Sequence, residues 1–456
     1  RLGMVAGEPD LPWRASFTSN DPLLNGIWEL CERTQRVGTQ EGLMDCPTRE
    51  QATYAGDGNP TAEWIGRLTG DHGYWRRLLE ETFAVQGQDG LVKTQTFSGM
   101  RYVLLDYDLL SVIGVRNYLR ETGDVTFVRG LLPAARRVLG WFEGHLNREG
   151  LFDYPSEAMP GEAPWVNCPA RAGDALCDPG LMIFIDHPGT GWHNIGEPGI
   201  ERKGLNAAIN ALLALAYRAM AELCDATGDD AGAIRYCDHA DRIAAAGACF
   251  WSVQAGYFVD GIVGGCQSAQ VSQQTNTLCL MAGFKAPGDR ASLMARLLDT
   301  PDPALARSGP YFWSYGLPLL AQLGLHTQAL ELIRVKWGRM LKFGATTLWE
   351  TFAGDQLDSY CHPWSGAPMD FLLRHIAGLG SIPAGVTEAT IAPRFDLLEQ
   401  ADACAMTASG PCTISWRQEA GGVSVHGVLP AGVAGRLVTP GGVKHPIAGA
   451  WKIHCV

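Results

Sequence analysis

Residues 205–220 read LNAAINALLALAYRAM, and the run is broken shortly afterwards by Thr227-Gly228-Asp229. A helix this apolar on nearly every side belongs inside a protein, walled by other helices. The break has a mechanism: Gly takes the left-handed conformation just past a helix end, and Asp then caps the first amides of the next helix. The same letters stand at Thr69-Gly70-Asp71 and Thr122-Gly123-Asp124, with Pro287-Gly288-Asp289 as a variant. Asp124 follows Asp71 by 53 residues, and Asp229 follows Asp124 by 105, close to twice that interval. Ordinary helix–helix loops also favour Gly-Asp, but the regular spacing favours a repeated helical hairpin.

Working outward, apolar periodicity predicts helices at about 21–37, 60–69, 73–86, 103–121, 125–146, 204–226, 230–250, 271–283, 289–299, 313–323, 326–340 and 365–378. A dozen helices in hairpins, each with one apolar face, can close into an (α/α)6 barrel. Its inner helices are the more apolar ones, and the loops at one end carry function. Strand-like text is nearly absent until residue 385. From there to 456, short alternating runs (ATIAPRF, CTISWRQ, GVSVHGVL) are separated by Gly-Gly and Pro-Gly turns, which predicts a small antiparallel β-sandwich. The expected organisation is a linker stub at 1–15, the barrel at 16–380 and the sandwich at 381–456. The Gly/Pro/Asp/Trp-rich stretch 147–203 is too long for a plain connection, and its aromatics favour an ordered, functional loop.

Composition narrows the function. The 456 residues are 46% apolar and 18% charged, which supports a large core. With 36 basic against 48 acidic residues the net charge is −12, and no basic block exists to displace counterions, so a nucleic-acid partner is not expected. No uncharged apolar stretch of about 18 residues suggests a membrane span. The thirteen cysteines are scattered and none forms a C-x-x-C pair, so they read as small buried hydrophobes in a reducing compartment, and no metal or other cofactor is expected. No signal-peptide core opens the chain, and a cytoplasmic location is expected. The first residue is Arg1, which suggests a piece of something longer.

Two polar clusters stand out. Residues 45–57, DCPTREQATYAGD, interleave Asp45, Arg49, Glu50 and Asp57 with apolar and aromatic residues just before a helix start at Pro60. A solvated loop would also fit acidic text, but the mixture favours a site. Residues 344–355, GATTLWETFAGD, place Glu350 beside Trp349, where partial desolvation favours proton handling. A helix N-terminal Glu is the plain alternative. His362 and Trp364 follow in SYCHPWSGAP. Two carboxylates from distant parts of a helical ring suggest glycoside hydrolysis, one protonated and one ionised.

These runs together resemble the bacterial α-L-rhamnosidases of glycoside hydrolase family 78. That family carries an Asp-Cys-Pro-x-Arg-[Asp/Glu] run ending in Gly-Asp, and later Gly-Ala-Thr-Thr-x-Trp-Glu. The resemblance covers the barrel, about 16–380, and the sandwich. It implies Glu50 as general acid and Glu350 as the general base of an inverting hydrolysis that releases terminal α-L-rhamnose. It implies that Asp45 and Asp57 hold rhamnose hydroxyls, with Arg49 beside them. Tyr54 stands where the family often has a sugar-stacking Trp. FIDHPGTGWHN, with Asp186, His187 and Trp192, resembles an aromatic-rich family segment in mid-barrel. Trp349, His362, Trp364, Asp106 and Trp313 complete the expected substrate-binding set. Glu50 is expected to be protonated through repulsion from Asp45 and Asp57, with Arg49 opposing. Full-length members carry β-domains ahead of the barrel, whereas only a stub precedes residue 16 here. The alternatives are another (α/α)6 glycosidase of glucoamylase or trehalase type, and a non-catalytic sugar-binding or scaffold protein.

Overall fold

The computed structural model describes residues 9–96, 103–153, 181–186, 199–302, 304–352 and 359–455. Among these are twelve α-helices in two concentric rings. The inner ring runs Ala55–Thr69, Leu105–Thr122, Ala207–Thr227, Gln273–Ala282, Trp313–Gln322 and Ala367–Phe371, each packed on the next and the last closing on the first. The outer ring is Pro22–Gly38, Gly73–Ala84, Val125–Glu143, Asp230–Ala246, Arg290–Asp299 and His326–Lys342. The apolar text explains the partition. Ala207–Thr227 has 15 of its 21 residues buried, and its outer neighbour Asp230–Ala246 only 3 of 17. Ala207–Thr227 is long and apolar enough to cross a membrane, but 83% of its apolar window is enclosed by the other helices, so it is a core helix.

The Gly-Asp punctuation works as expected. Gly70, Gly123 and Gly228 sit at φ +78°, +71° and +82° past inner-helix ends. The Asp124, Asp229 and Asp289 side chains each accept an amide of the helix they open. Asp71 is displaced by one position and accepts from Gly73 N–H instead.

The structure differs from the sequence reading in three places. The first inner helix starts at Ala55, not Pro60, because Thr53–Tyr54 pairs with Gln95–Thr96 and directs the chain straight into the helix. Similar two-residue pairings precede the helices at Leu105 and Ala207, too short to leave a sequence signal. The C-terminal strands are antiparallel except Glu388–Ile391, which runs parallel to Ala434–Val438. Finally, Ser16–Ser19, read as the start of the barrel, is the edge strand of the five-stranded C-terminal sheet and pairs with residues 401–404.

A second repeat stitches the ring together. After three outer helices the chain turns back and presents one residue, Val92, Phe152 or Phe258, to the fourth position of the next inner helix. Asn210 accepts the Phe152 amide at 2.7 Å and donates to the Phe152 carbonyl at 3.0 Å. Asn276 does the same for Phe258, at 2.9 Å both ways. At Val92 the partner is Asp108, whose Oδ1 accepts the amide at 2.7 Å, while its buried Oδ2 has no hydrogen-bond partner among the described residues. Burial pushes the Asp108 carboxyl well above its ordinary range, which favours the protonated acid at the position held elsewhere by asparagine.

A buried ionic cluster ties three inner-helix segments to the stretch that leads out of the barrel. Arg374 donates to Asp370 at 2.9 and 3.0 Å, to Ser381 Oγ at 2.6 Å, to Glu121 at 2.7 Å and to Glu63. Arg67 pairs with Asp370 at 3.0 Å and donates to the Leu379 carbonyl. Three carboxylates face two guanidinium groups. Burial accordingly raises Glu63 to about 7, whereas Arg374 and Arg67 outweigh the burial of Glu121 and pull it down to about 2.

Two outcomes follow from these contacts. Removing one partner from a buried ion cluster leaves uncompensated charge, so Arg374→Ala is expected to lower unfolding stability by about 3–5 kcal/mol, read by denaturant titration. For Asp108 the folded carboxyl binds its proton more tightly than the unfolded one. Its contribution is therefore full below the unfolded pKa and is lost as pH rises through the folded value. Asp108→Asn is expected to match wild type near pH 4 and to have the higher Tm as pH increases, checked by thermal melts across pH.

Candidate active site

The site lies at the end of the ring where the inner helices start. Its first wall is the loop from Asp45 to Ala52, which closes on itself. Asp45 N–H donates to the Ala52 carbonyl at 2.9 Å, and Ala52 N–H returns to Asp45 Oδ1 at 2.8 Å. Gln51 turns the chain with φ +55°. This clasp leaves Arg49 and Glu50 projecting, 37% and 32% exposed at their side chains, with Asp45 and Cys46 buried below them. Asp57 follows in the first turn of Ala55–Thr69, buried, and its Oδ2 accepts from Tyr107 Oη at 2.8 Å.

The opposite wall is the segment around Glu350. Glu350 N–H bonds to the Ser359 carbonyl and His362 N–H to the Leu348 carbonyl, which pins Glu350 against His362. Glu350 is 3% exposed. It accepts from Arg49 Nη2 at 3.0 and 2.9 Å and from Ser359 N–H at 2.7 Å. His362 lies between the walls, with Nε2 3.4 Å from Asp57 and Nδ1 3.7 Å from Glu350. Burial lowers its pKa, which favours the neutral ring.

Arg49 links the two walls. Its Nη2 also lies 3.3 Å from Glu50 Oε1. One nitrogen in contact with both glutamates holds their nearest oxygens within about 6 Å of each other, with the guanidinium between them; that is short of the roughly 6.5–9.5 Å kept by an inverting pair. The sequence reading put Arg49 beside Asp45 and Asp57; its guanidinium instead pairs with the two glutamates. The acids that burial pushes up are Asp45, to about 6 despite the opposing His362, and Asp57, to about 7.

Tyr54 also departs from expectation. Its phenol donates to Glu50 Oε2 at 2.6 Å and accepts from Gln95 Nε2. Since the Gln95 amide can only donate there, the phenol proton is directed at Glu50. Tyr54 also stands edge-on to Tyr107 at 6.4 Å, the first link of an aromatic wall that continues through Phe184 to Trp364 and Tyr311. Trp364 lies against His362 at 4.2 Å, the rings tilted by 41°, and donates to the Glu350 carbonyl at 3.1 Å.

Other expected residues lie elsewhere. Asp106 is fully buried, and its two oxygens accept the Phe184 and Ile185 amides at 2.8 and 2.9 Å. Asp186 accepts from Gln274 and from Gly309 N–H, both at 2.8 Å. Both acids bind protein backbone in the structure and position Phe184 in the aromatic wall. Trp349 packs between Phe343 and Tyr360, away from His362. Trp313 is buried at the start of its helix with Nε1 unpartnered. His187 and Trp192 lie outside the described residues. Sequence reasoning missed Tyr107, Phe184 as a wall residue, Tyr311, Gln95 and Ser359. Tyr107 and Phe184 adjoin residues it did single out, while Gln95 carries no local signal.

The arrangement defines a class first. Twelve helices in two rings that close into an (α/α)6 barrel, with acids and aromatic rings gathered at the end where the inner helices start, define the six-hairpin glycosidase fold. The profile of the bacterial α-L-rhamnosidase six-hairpin glycosidase domain matches residues 13–164 and 190–376, and that of the bacterial α-L-rhamnosidase C-terminal domain matches 378–453. The chain belongs to the bacterial α-L-rhamnosidase family.

Solved structures agree on the fold. The family 78 rhamnosidase of Bacillus sp. GL1 superposes with a TM-score of 0.82 at 24% identity, covering 96% of this chain and 44% of that one. The Streptomyces avermitilis α-L-rhamnosidase complexed with L-rhamnose gives 0.70 at 20%, covering 94% and 39%. The Klebsiella oxytoca rhamnosidase with rhamnose bound gives 0.63 at 24%, covering 80% and 65%. The chain thus spans about two-fifths to two-thirds of these relatives' lengths. No curated protein matches it.

Tyr54→Phe separates a stacking role from a positioning role, since it keeps the ring and removes the bond to Glu50. An ordinary hydrogen bond is worth about 0.5–1.5 kcal/mol. The variant is therefore expected to lose about 2- to 10-fold in kcat on an aryl rhamnoside with KM little changed. A stacking role alone would leave both constants near wild type.

Proposed function

We propose that the chain is an inverting α-L-rhamnosidase that removes terminal α-L-rhamnose, with Glu50 as general acid and Glu350 as general base. The observation that carries this reading is the Arg49 bridge, which brings two carboxylates of unlike surroundings to one guanidinium; an inverting pair keeps roughly 6.5–9.5 Å between its carboxyl groups, so the bridge has to open for sugar and water to enter. Glu350, buried and held by the guanidinium and the Ser359 amide, is suited to stay ionised. Glu50, at the mouth, is suited to meet a leaving group. Its contact with Arg49 is long, 3.3 Å, against 2.9 Å on Glu350. An entering sugar would displace the weaker contact, free Oε1 of Glu50 to carry a proton, and leave Arg49 on Glu350.

In the reaction the bond from the anomeric carbon to the glycosidic oxygen breaks, and Glu50 gives that oxygen its proton. Water on the opposite face bonds to the anomeric carbon and passes its proton to Glu350. Asp45, Asp57 and His362 are placed to hold ring hydroxyls. Asp57 and Asp45 can donate as well as accept, because burial keeps them partly protonated near neutral pH. The aromatic wall of Tyr107, Phe184, Tyr311 and Trp364 suits the apolar face of a deoxysugar. Support for rhamnose itself comes from family membership and from relatives crystallised with that sugar.

Glu50→Gln and Glu350→Gln are each expected to reduce kcat on an aryl α-L-rhamnoside by about 10²- to 10⁴-fold. Proton NMR of early turnover is expected to show β-L-rhamnose first, with the α anomer growing in by mutarotation. Initial release of α-L-rhamnose would overturn the inverting assignment. A wild type that binds rhamnose without turnover would instead support the sugar-binding alternative.

A further inference from the structure

We propose that Asp45, Cys46 and His362 form a site for a thiophilic divalent cation of the zinc class, at the base of the sugar gap, and that its occupancy excludes the sugar. One ligand atom from each residue lies within 4.8 Å of the other two, and all three residues are buried. The ligands of a tetrahedral zinc stand about 3.3–3.8 Å apart for bonds of about 2.0–2.3 Å, so a contraction of roughly 1 Å completes the triangle. Carboxylate, thiolate and imidazole are a donor set that zinc accepts, with water in a fourth position.

Two further observations point to a ligand. The imidazole Nδ1 is buried without a hydrogen-bond partner among the described residues, 3.7 Å from the Glu350 carboxylate, and Nε2 has the long 3.4 Å contact to Asp57. The sulfur and the carboxylate are already supported from behind. Glu50 N–H points at Cys46 Sγ at 3.4 Å and Ala52 N–H holds Asp45 Oδ1 at 2.8 Å, the outer contacts that orient ligands.

In the metal-free state the Cys46 thiol donates to Asp45 Oδ2 at 3.0 Å. On binding, the Cys46 S–H bond breaks, its proton leaves to solvent, and the sulfur lone pair forms the bond to the cation. Asp45 and His362 become ligands at the same time. Both are hydroxyl-holding groups in the proposed function, so metal and rhamnose compete. The metal site itself stands on geometry and survives if the chain turns out not to hydrolyse rhamnosides.

Titrating the full chain with cobalt(II) chloride reads the site without any assay of activity. The expected result is one equivalent of cobalt with a thiolate-to-metal absorption band, displaced by zinc. Cys46→Ser, which keeps a hydrogen-bonding group of similar size, abolishes the band. It also weakens zinc by more than the roughly 10- to 100-fold that follows loss of an outer contact. Circular dichroism confirms that this variant is folded, and Asp45→Asn serves as the second variant should it not be. Replacing the exposed Cys249 and Cys266 together leaves the band intact. L-rhamnose added to the cobalt form lowers the band if the sugar shares the gap. No thiolate band in wild type, or a band that persists in a folded Cys46→Ser, overturns the proposal. A cobalt band that rhamnose leaves unchanged at saturating sugar overturns the competition.

Discussion

A ring of helices buried on every side has one unavoidable requirement: polar groups at the helix starts must find partners inside the protein, because water does not reach them. This chain meets the requirement by stitching loops onto inner helices with side-chain carboxylates and amides. Asn210 and Asn276 clamp the amide and the carbonyl of one residue each, Asp108 takes one amide, and Asp106 takes two consecutive amides. The loops thereby become rigid walls. The same burial that makes these bonds strong raises carboxyl pKa values, so the site inherits acids that hold protons near neutrality.

The rigidity is visible at Ile185, a β-branched residue held at φ +63°, which costs on the order of 1–3 kcal/mol. Asp106 grips its amide, and Arg202 donates to the carbonyls on either side, Phe184 at 2.7 Å and Asp186 at 3.0 Å. The kink turns Phe184 into the aromatic wall next to Tyr107. Recognition and packing are here the same set of contacts.

The ring was readable in the sequence because its signals are local and repeated. Gly at a left-handed helix end and Asp at the next cap are chemical necessities that leave letters at fixed places, and the apolar inner helices leave long runs. The two-residue β pairings left none, nor did the joining of Ser16–Ser19 to residues 401–404, since neither depends on a neighbour in sequence. The site divided in the same way. The two glutamates stood out in their motifs, and in the structure one nitrogen of Arg49 touches both. The partners of Arg49, the direction of the Tyr54 hydroxyl and the backbone-binding roles of Asp106 and Asp186 depend on segments 40 to 300 residues away. Residue identity proposes such groups; only the fold decides what they touch.

The edge strand at Ser16–Ser19 has a bearing on how these modules can be separated in evolution or in the laboratory. The last domain borrows its outermost strand from the far end of the chain, so it is not an independent cassette. Cut free at the end of the helical ring, it would bare the backbone of Ala401–Cys404, an open ladder of amides and carbonyls ready to recruit an extended peptide. The sheet is thus laced to the ring by the strand that precedes the first outer helix.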